Sequence, residues 1–560
     1  MNKILLKDKF SPFIVGIAFF VLVNVVASYL YIRLDLTAEK RYTLASNSKK
    51  LLKDLKHPLH IKLYLSGDLN SGFRLLSKNS VEMFDEMEVF SGTNLRYDVI
   101  DPTSGSESDR VSLIKELKTR GMEPIPVFET LDDGSKKQTL VYPYFIIALG
   151  DKELVVNLLE NIPGLSGADN LNKSTETLEF KVVDAIRRLT TETKPRIAFL
   201  EGHGELDDYE VVDVTHELSR YYKVERGAIQ MDASILNNYK CVIIASPKKA
   251  FSEKDKFVLN QYVMQGGNLL WLVDGVSLSL DSLQHTPTSV GMPLELNTED
   301  ILFKYGFRIN GIAIEDIQCA MIPVNVASLT DAPKFVPAPW YYSPLLLPAQ
   351  NNSITKNINV VKGEFTSSLD TVGDELGLKR KVLLASSRFS KISKAPVVVS
   401  LVKINEAPKK EEFTKSFIPV AVVAEGEFPS SFEFRAVPAG LQNCTPAVTK
   451  GKFAKMIVVA DGDIIRNGVR FKDSQPQIVP LGYDEISHQT FGNKSFIVNS
   501  VNYLCDDMGW MELRNRNNVL RLLDKAKVAE SAMFYKLLNV ILPIILLIIS
   551  GIVVSIMRKR

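Results

Sequence analysis

Acidic, histidine and serine side chains follow four apolar runs of the sequence, at the point where each run ends. The runs are RIAFL, CVIIA, LLWLV and IVVA, and the polar residues after them are Glu201, His203, Glu205, Ser246, Asp274, Asp461 and Asp463. Carboxylate and imidazole groups that share a pocket can move protons, hold a metal ion or bind a polar ligand. We therefore take these residues as the candidate site for a ligand or partner.

The chemistry open to this site is narrower than its composition suggests. The Glu201-x-His203-x-Glu205 pattern lacks the His-Glu-x-x-His spacing of a zinc hydrolase. Pro247 follows Ser246, so no G-x-S-x-G or G-x-C-x-G nucleophile elbow is present. We therefore expect no catalytic residue and no metal site. The loop can serve as turn and cap, contact a ligand or partner, or carry out catalysis, and the sequence leaves all three open.

Alternating apolar runs and helical patterns over residues 196–274 must position these side chains. Short connections between them predict a parallel sheet with helices on both faces, similar to the glutamine-amidotransferase-like (flavodoxin-like) α/β fold. The carboxyl ends of such strands share one edge, where open α/β sheets bind ligands. A later strand and a helix over residues 494–505 are expected to complete this sheet.

A β-rich insertion is predicted between the two parts of the α/β domain, over residues 323–438. It contains a proline-rich, aromatic loop at Trp340–Tyr342. This loop either packs on its own domain or forms an exposed partner contact, since aromatic residues are enriched in binding hot spots.

The region before the α/β domain has a β-α-β-α-β-β order, which resembles a thioredoxin-like fold. Pro124 and Pro126 lie where that fold has a proline before its third strand. No cysteine precedes Cys241, so a thiol oxidoreductase is excluded. A Gly/Pro/Asn-rich linker then leads to a helix that is predicted from Ser174 to Thr190.

Two uncharged apolar stretches, Phe13–Ile32 and Leu537–Ile556, are each long enough to cross a membrane. Basic residues in both short tails favour a cytoplasmic location for both termini, with the bulk of the chain outside the cytoplasm. Asn24, in the middle of the first stretch, is expected to hydrogen-bond a neighbouring helix.

A basic cluster precedes the second apolar stretch, on a predicted juxtamembrane amphipathic helix. Its members are Arg514, Arg516, Arg521 and Lys525. They either neutralise lipid headgroups or dock acidic residues of a partner at the membrane surface.

Composition excludes several functional classes. The net charge of +2 argues against a dedicated nucleic-acid binder. No Walker A or G-x-G-x-x-G motif occurs, so we expect no cofactor, and any ATP must be used by a separate ATPase subunit. The four cysteines form no C-x-x-C pattern; they are either buried thiols or, in an extracytoplasmic domain, members of one or two disulfides.

The predicted class is therefore a membrane-anchored α/β protein with one transmembrane helix at each end. The predicted segments are a cytoplasmic tail (1–12), a transmembrane helix (13–32), a thioredoxin-like periplasmic domain (33–160), a linker and helix (161–195), the first part of the α/β domain (196–322), the β-rich insertion (323–438), the final part of the α/β domain (439–510), the juxtamembrane helix (511–536), a transmembrane helix (537–556) and a cytoplasmic tail (557–560).

Five stretches in this order resemble the GldG family, gliding-motility-associated auxiliary components of ABC transporters. They are LDLTAEKRYTLASNSKKLL, RIAFLEGHGELDD, QYVMQGGNLLWLVD, VVADGDIIRN and RNRNNVLRLLDKAKV. The resemblance implies an inner-membrane protein with a large periplasmic region, acting with a multi-spanning permease and a cytoplasmic ATPase in gliding motility and type 9 protein secretion. It implies motility or secretion components of the periplasm or outer membrane as further partners, and two copies per transporter. It implies no catalytic residue.

Three functional hypotheses follow from the sequence. The favoured one is a non-enzymatic transporter subunit that couples permease and ATPase motion to a periplasmic partner or substrate. The alternatives are a periplasmic solute-binding receptor that feeds the permease, and a membrane-anchored hydrolase that uses the Glu201–Glu205 loop.

Overall fold

The computed structural model describes residues 15–25, 43–130, 135–325, 334–404, 408–443, 448, 450–472, 475–516 and 530–559. The chain divides into two compact units, Met1–Arg516 and Asn517–Arg560. In chain order the helices of the first unit are α1 (Val15–Val25), α2 (Ser46–Lys53), α3 (Ser71–Ser91), α4 (Glu107–Thr119), α5 (Gly167–Thr190), α6 (Val212–Leu218), α7 (Glu253–Met264), α8 (Leu280–His285), α9 (Glu299–Lys304) and α10 (Asn493–Leu504).

The strands of the first unit fall into two larger sheets and several ribbons. In chain order they are β1 (Leu59–Leu63), β2 (Leu95–Val99), β3 (Ile125–Thr130), β4 (Lys136–Val141), β5 (Tyr144–Leu149), β6 (Lys152–Asn157), β7 (Arg196–Glu201), β8 (Lys223–Ala228), β9 (Cys241–Ala245), β10 (Asn268–Leu272), β11 (Thr288–Gly291), β12 (Phe307–Ile309), β13 (Ile312–Asp316), β14 (Cys319–Asn325), β15 (Phe335–Pro348), β16 (Val361–Lys362), β17 (Leu369–Thr371), β18 (Lys379–Ala385), β19 (Ser390–Lys394), β20 (Val397–Ser400), β21 (Pro419–Pro429), β22 (Lys450–Val459), β23 (Gly468–Lys472), β24 (Gln475–Val479), β25 (Tyr483–Asp484) and β26 (Gln489–Thr490).

The first sheet has the strand order β2-β1-β5-β6. Strands β1 and β2 are parallel, whereas β5 runs antiparallel to both β1 and β6. A separate antiparallel ribbon, β3–β4, is inserted before β5. Apolar residues of α3, α5 and the sheet form one core, in which Phe84 and Phe145 are fully buried.

Helix α5 begins earlier than the sequence predicted. Its N-cap is Ser166, whose side chain accepts a hydrogen bond from the Asp169 amide, so the helix starts at Gly167 rather than at Ser174. The Gly/Asn-rich composition of this turn has low helix propensity, and the cap outweighs it. Ser174 lies inside the helix and is buried, where its hydroxyl accepts from the Glu160 amide.

The second sheet is mixed and has the main order β14-β15-β18-β21-β22-β10-β9-β7-β8. Strands β8, β7, β9, β10 and β22 are mutually parallel neighbours, and from β22 onward the pairing is antiparallel. Taken in sequence order, the parallel part reads 2-1-3-4-5, one of the two common doubly wound orders. Strands from the segment predicted as an insertion thus extend the same sheet.

Apolar runs without alternation form the middle of this sheet because both of its faces are covered. In β9, Ile243 faces one core and Ile244 the other, and both are fully buried. In β10, Leu270 faces the same core as Ile243, and Trp271 faces the same core as Ile244. Such two-sided burial is expected of parallel strands between helices.

The predicted aromatic loop is a strand. Trp340 lies within β15, is 3% exposed and packs edge-to-face on Phe365, with ring centroids 6.2 Å apart. The prolines that suggested a loop are tolerated because this part of β15 pairs only with β14, where Pro337 faces Pro323. Of the two interpretations of this aromatic segment, the buried position of Trp340 matches packing within its own domain.

The second unit contains α11 (Ala532–Lys559), which includes Pro543. Its stretch Ala532–Met557 is, among the described residues, the one helix long and apolar enough to cross a membrane. Helix α1 is shorter, and the rest of the predicted first span lies outside the described residues. Within α1, the Asn24 side chain donates to the carbonyl of Phe20, 2.8 Å away, one turn earlier in the same helix. The structure therefore supports one membrane-spanning helix by length and composition.

Candidate functional site

The carboxyl ends of β7, β9, β10 and β22 meet at one edge of the second sheet, as expected for parallel neighbours. The predicted site residues divide there into two groups. We name them the histidine cluster (His203, Glu205, Asp255 and Phe251) and the aspartate cluster (Ser246, Lys248, Asp274, Asp461 and Asp463). Lys248 joins them, because its amide donates to the His203 carbonyl at 2.7 Å while its ammonium bonds Asp274.

In the histidine cluster, the imidazole of His203 is held on three sides. Its Nδ1 lies 3.1 Å from Glu205 Oε1, and its Nε2 lies 3.2 Å from Asp255 Oδ2. The ring stacks on Phe251 with centroids 3.7 Å apart. Asp255 also forms a capping box with Ser252 at the start of α7. The loop after β7 is thus fixed to the N-terminus of α7.

This environment favours the charged imidazole. Burial lowers the pKa of His203, but hydrogen bonds to Asp255 and Glu205 outweigh it and raise the pKa to about 9. At neutral pH both ring nitrogens then carry protons and donate to carboxylates. An imidazolium in this state cannot act as a general base or bind a metal ion.

We expect the stability of the protein to depend on the protonation of His203. Its folded-state pKa lies above the usual value of 6.5, so its stabilisation is complete below pH 6.5 and is lost as pH rises through about 9. The free energy of unfolding should fall by roughly 2 kcal/mol across this window. Urea denaturation at pH 6.5, 8 and 9.5 measures the change.

The matched variants separate His203 from other titrating groups. H203Q should remove the fall above pH 7.5, whereas D463N should keep it. An equal fall in H203Q and the wild-type protein would contradict the assignment.

In the aspartate cluster, Asp274 accepts three hydrogen bonds. They come from Ser246 Oγ at 3.0 Å, Lys248 Nζ at 2.6 Å and the Gly462 amide at 2.6 Å. Ser246 has a positive φ of 54°, which turns the chain sharply after β9. A Cβ on Gly462 would lie 2.7 Å from Asp274 Oδ2, so this close approach requires glycine. Ser246 is therefore a buried donor rather than an exposed nucleophile.

The other two carboxyl groups of this cluster hold protons readily. Burial, followed by the charge of Asp274, raises the pKa of Asp461 well above its usual range. Burial, Asp274 and Glu364 raise the pKa of Asp463 to about 7, although Lys248 and Arg466 oppose this. At neutral pH the aspartate cluster therefore carries less negative charge than three fully ionised carboxylates would.

A cavity of about 510 Å³ lies beside the aspartate cluster. Its charged lining residues are Glu210, Asp281, Lys362, Glu364, Asp463, Arg466, Arg470, Asp484 and Glu485. Burial raises the pKa of Glu364 above its usual range. The cavity lining combines apolar side chains with charged ones, and among the charged ones acids outnumber bases.

Sequence reasoning missed several residues of this edge. Lys248 and Asp255 follow the second strand and open α7, so position relative to the strand end could have identified them. Arg466 follows the predicted Asp463 by three residues and could have been found from that position, whereas Glu364 comes from a segment with no local signal of a site. Conversely, Glu201 belongs to neither cluster, although the sequence predicted it as a site residue. Its carboxylate pairs instead with Arg226 of β8 at 2.8 Å.

Arg514 is bonded inside the first unit, whereas the sequence predicted it at the membrane surface. It is in a short 3-10 helix, Trp510–Asn515, rather than in a long amphipathic helix. Its guanidinium donates to the carbonyls of Ser353 at 2.8 Å and Lys356 at 2.9 Å. Burial is the main cause that lowers the pKa of Arg514, with Glu160 opposing it. Arg514 therefore joins the two sheet regions within the first unit.

Arg516 is likewise bonded inside the first unit. It pairs with Glu179 of α5 and donates to the Thr43 carbonyl at 2.7 Å. Glu179 also accepts from the Ala45 amide at 2.8 Å and from Ser48 Oγ at 2.6 Å. We name these five residues the end clamp. Arg521 and Lys525, the other members of the predicted basic cluster, lie outside the described residues.

Within the described ranges, no group of three or more His, Cys, Asp or Glu residues is arranged to hold a metal ion. The side chains at this edge can bind protons and form hydrogen bonds. Their imidazole, hydroxyl and carboxyl groups already form hydrogen bonds or ion pairs with neighbouring groups of the chain. What it offers chemically is a rigid polar surface with two adjoining cavities among the described residues, one of about 510 Å³ at Asp463 and one of about 350 Å³ at Asp274.

Comparison with known families identifies the α/β region. A model described as an ABC-type uncharacterized transport system, auxiliary component, matches residues 194–500, more than half of the chain. The chain belongs to this ABC-transport auxiliary family. Membership confirms the family-level resemblance and an auxiliary role in an ABC transport system, and it implies association with permease and ATPase components. A second family model, described as a domain of unknown function, matches residues 38–148 of this chain.

Other comparisons add less to the family assignment. No curated protein matches. Among solved structures, the mmIFT52 N-terminal domain is 12% identical with a TM-score of 0.31, covering 55% of this chain and 97% of its own. The exo-beta-1,4-mannosidase Op5Man5 from Opitutaceae bacterium strain TAV5 is 10% identical with a TM-score of 0.17, covering 76% of this chain and 51% of its own. At these TM-scores neither similarity bears on fold or function.

Proposed function

We propose that the protein is a non-enzymatic auxiliary subunit of an inner-membrane ABC transporter linked to gliding motility and type 9 secretion. The part of its first unit that follows the first predicted span lies in the periplasm and couples the motion of a permease and its ATPase to a periplasmic partner or substrate. Both termini are cytoplasmic, and two copies serve each transporter. The protein needs no cofactor of its own, because the ATPase subunit uses the ATP.

The observation that carries the non-enzymatic role is the state of His203. Both of its ring nitrogens bond carboxylates, and its ring is covered by Phe251. Ser246, the serine predicted at this edge, is buried and donates to Asp274. A hydrolase at this loop would need a free base and an exposed nucleophile.

Strand order supports two binding scaffolds in this role. The β2-β1-β5-β6 order and directions are those of a thioredoxin-like sheet, and the 2-1-3-4-5 parallel order is that of a flavodoxin-like sheet. We propose both assignments at the level of fold. Neither fold implies a reaction, since both serve many unrelated functions.

Purification of the full-length chain with its partners tests this function. A tagged chain, extracted from its native membranes in mild detergent, is expected to bring a multi-spanning permease and an ATPase at stoichiometric levels. The matched control replaces α11 by an unrelated single-span helix and should lose both partners. Recovery of neither subunit above an untagged background would refute the proposal. Loss of surface secretion in a deletion strain, restored by H203Q at normal protein levels, would separate it from the hydrolase alternative.

The cavity of about 510 Å³ favours a second candidate, a solute-binding receptor. Its volume falls in the usual range of small-molecule sites, about 300–1,000 Å³. Native mass spectrometry of the same purified sample distinguishes the two. A retained small molecule, lost on substitution of Glu364 by glutamine, would support the receptor; a bare protein mass would support the coupling subunit.

A further inference from the structure

Two cysteines that are far apart in the sequence lie beside one another in the first unit. Cys241 begins β9, and Cys505 is the C-cap of α10. The side-chain amide of Asn268 donates to the carbonyls of Lys240 at 3.1 Å and Leu504 at 2.9 Å. One amide thus holds the residue that precedes each cysteine.

A second contact fixes the same approach from the exposed side. Lys240 Nζ forms an ion pair with Asp507 at 2.6 Å, so the chain on both flanks of the cysteine pair is tied together. Cys241 is fully buried, whereas Cys505 is partly exposed at the edge of the same core. Cys505, the less buried of the two, is therefore the thiol that an external reagent would reach first.

The two cysteines also pack in one core, since Cys505 lies against the buried cluster that contains Cys241. Burial, and then a hydrogen bond with the Cys505 thiol, raise the pKa of Cys241. The Tyr222 hydroxyl lies against the same thiols and donates to Asn502 Oδ1 at 2.7 Å. Cys241 Sγ also donates to the Val242 carbonyl at 3.8 Å, and Tyr222 also hydrogen-bonds Cys505, so a disulfide would replace these weaker contacts of the two thiols.

We propose that Cys241 and Cys505 form an intramolecular disulfide when an oxidant reaches Cys505. The oxidant is a disulfide, either of a protein that donates disulfides or of a small thiol. The Cys505 thiolate attacks it, forms a mixed disulfide and releases one thiolate. The Cys241 thiolate then attacks the Cys505 sulfur and releases the second. Two thiols become one disulfide, the oxidant becomes two thiols, and the protons pass to it.

The link would join the start of a central strand to the last helix of the α/β region. It closes a loop that contains the whole segment predicted as an insertion, so it restricts the unfolded chain over a long span. Formation inside the cell rests on the proposed periplasmic location of the first unit, because disulfides persist in oxidising compartments. Formation of the disulfide in the purified protein does not depend on that location.

Trapping experiments on the full-length protein test the pair and the location separately. Cells are lysed in N-ethylmaleimide, and the purified protein is digested without reductant and mapped by mass spectrometry. In parallel, reduced purified protein is treated with oxidised glutathione. We expect one cross-linked peptide pair containing Cys241 and Cys505 in both samples, and the same pair in the matched control C319S. The variants C241S and C505S should each lose it.

Each outcome has a distinct meaning. A native, folded protein that accumulates glutathione on Cys505 without the cross-link would overturn the pair. A cross-link that forms with glutathione but is absent from cells would support the pair and count against the periplasmic location. As an independent readout, reduction should lower the melting temperature of the wild-type protein by about 5 °C and leave the C241S/C505S double variant unchanged.

Discussion

Replacement of Arg514 by alanine is expected to lower the free energy of unfolding of the first unit by about 3–5 kcal/mol, because two hydrogen bonds from a charged group are lost, each contributing roughly 1.5–3 kcal/mol. The guanidinium bonds the carbonyls of Ser353 and Lys356 and lies over the Phe180 ring, with 5.0 Å to its centroid. Its loss leaves both carbonyls without that donor, whereas Glu160 nearby keeps its ion pair with Lys181. Urea denaturation followed by tryptophan fluorescence measures the change.

Two variants sharpen this prediction. R514K keeps the charge but cannot bond two carbonyls with a planar fork, so we expect an intermediate loss of stability. R110A, at an exposed position of α4, is the matched control and should change stability by less than about 0.5 kcal/mol. A loss in R514A no larger than in R110A would show that the buried position is not maintained in solution.

Replacement of Asp274 by alanine should cost about 3–5 kcal/mol, since Ser246, Lys248 and the Gly462 amide all lose their acceptor in a buried place. D274N keeps the volume and loses the charge, and should cost less. D151N, at an exposed turn, is the control. Denaturation midpoints in urea at pH 7 rank the three variants.

D274N carries a second signature in its pH dependence. Burial and the charge of Asp274 raise the pKa of Asp463 to about 7, well above the usual value for an aspartate. Protonation therefore favours the folded state, and stability is lost as pH rises from about 4 through 7. This fall should shrink in D274N. An unchanged pH profile would show that the two carboxyl groups are not coupled.

Local patterns predicted the parts of the fold that local patterns determine. The apolar runs from RIAFL to LLWLV are parallel strands, and Ser252 caps α7 as its position before Glu253 and Asp255 indicated. Position at the strand ends likewise predicted Ser246 and Asp274 as neighbours. These features depend on periodicity and on capping, which a sequence displays directly.

Long-range pairing explains the failures. A basic residue shortly before an apolar stretch resembles a headgroup contact, and nothing local shows that Glu160 and Ser353 fold against Arg514. Trp340 resembled a loop residue because its neighbouring prolines usually exclude strands, yet β15 pairs on one side there. Glu364 enters the cavity from a segment nearly one hundred positions before Asp461 in sequence, which no motif connects.

The end clamp has a mechanical consequence. Thr43 is the first described residue after α1, Arg516 is the last described residue before the second unit, and these two residues are bonded to each other. Tension applied at both exits would load the contacts of Arg516 and Glu179 first, while the two sheets bear little strain. In a subunit pulled by a moving permease, the end clamp would then open before either sheet unfolds.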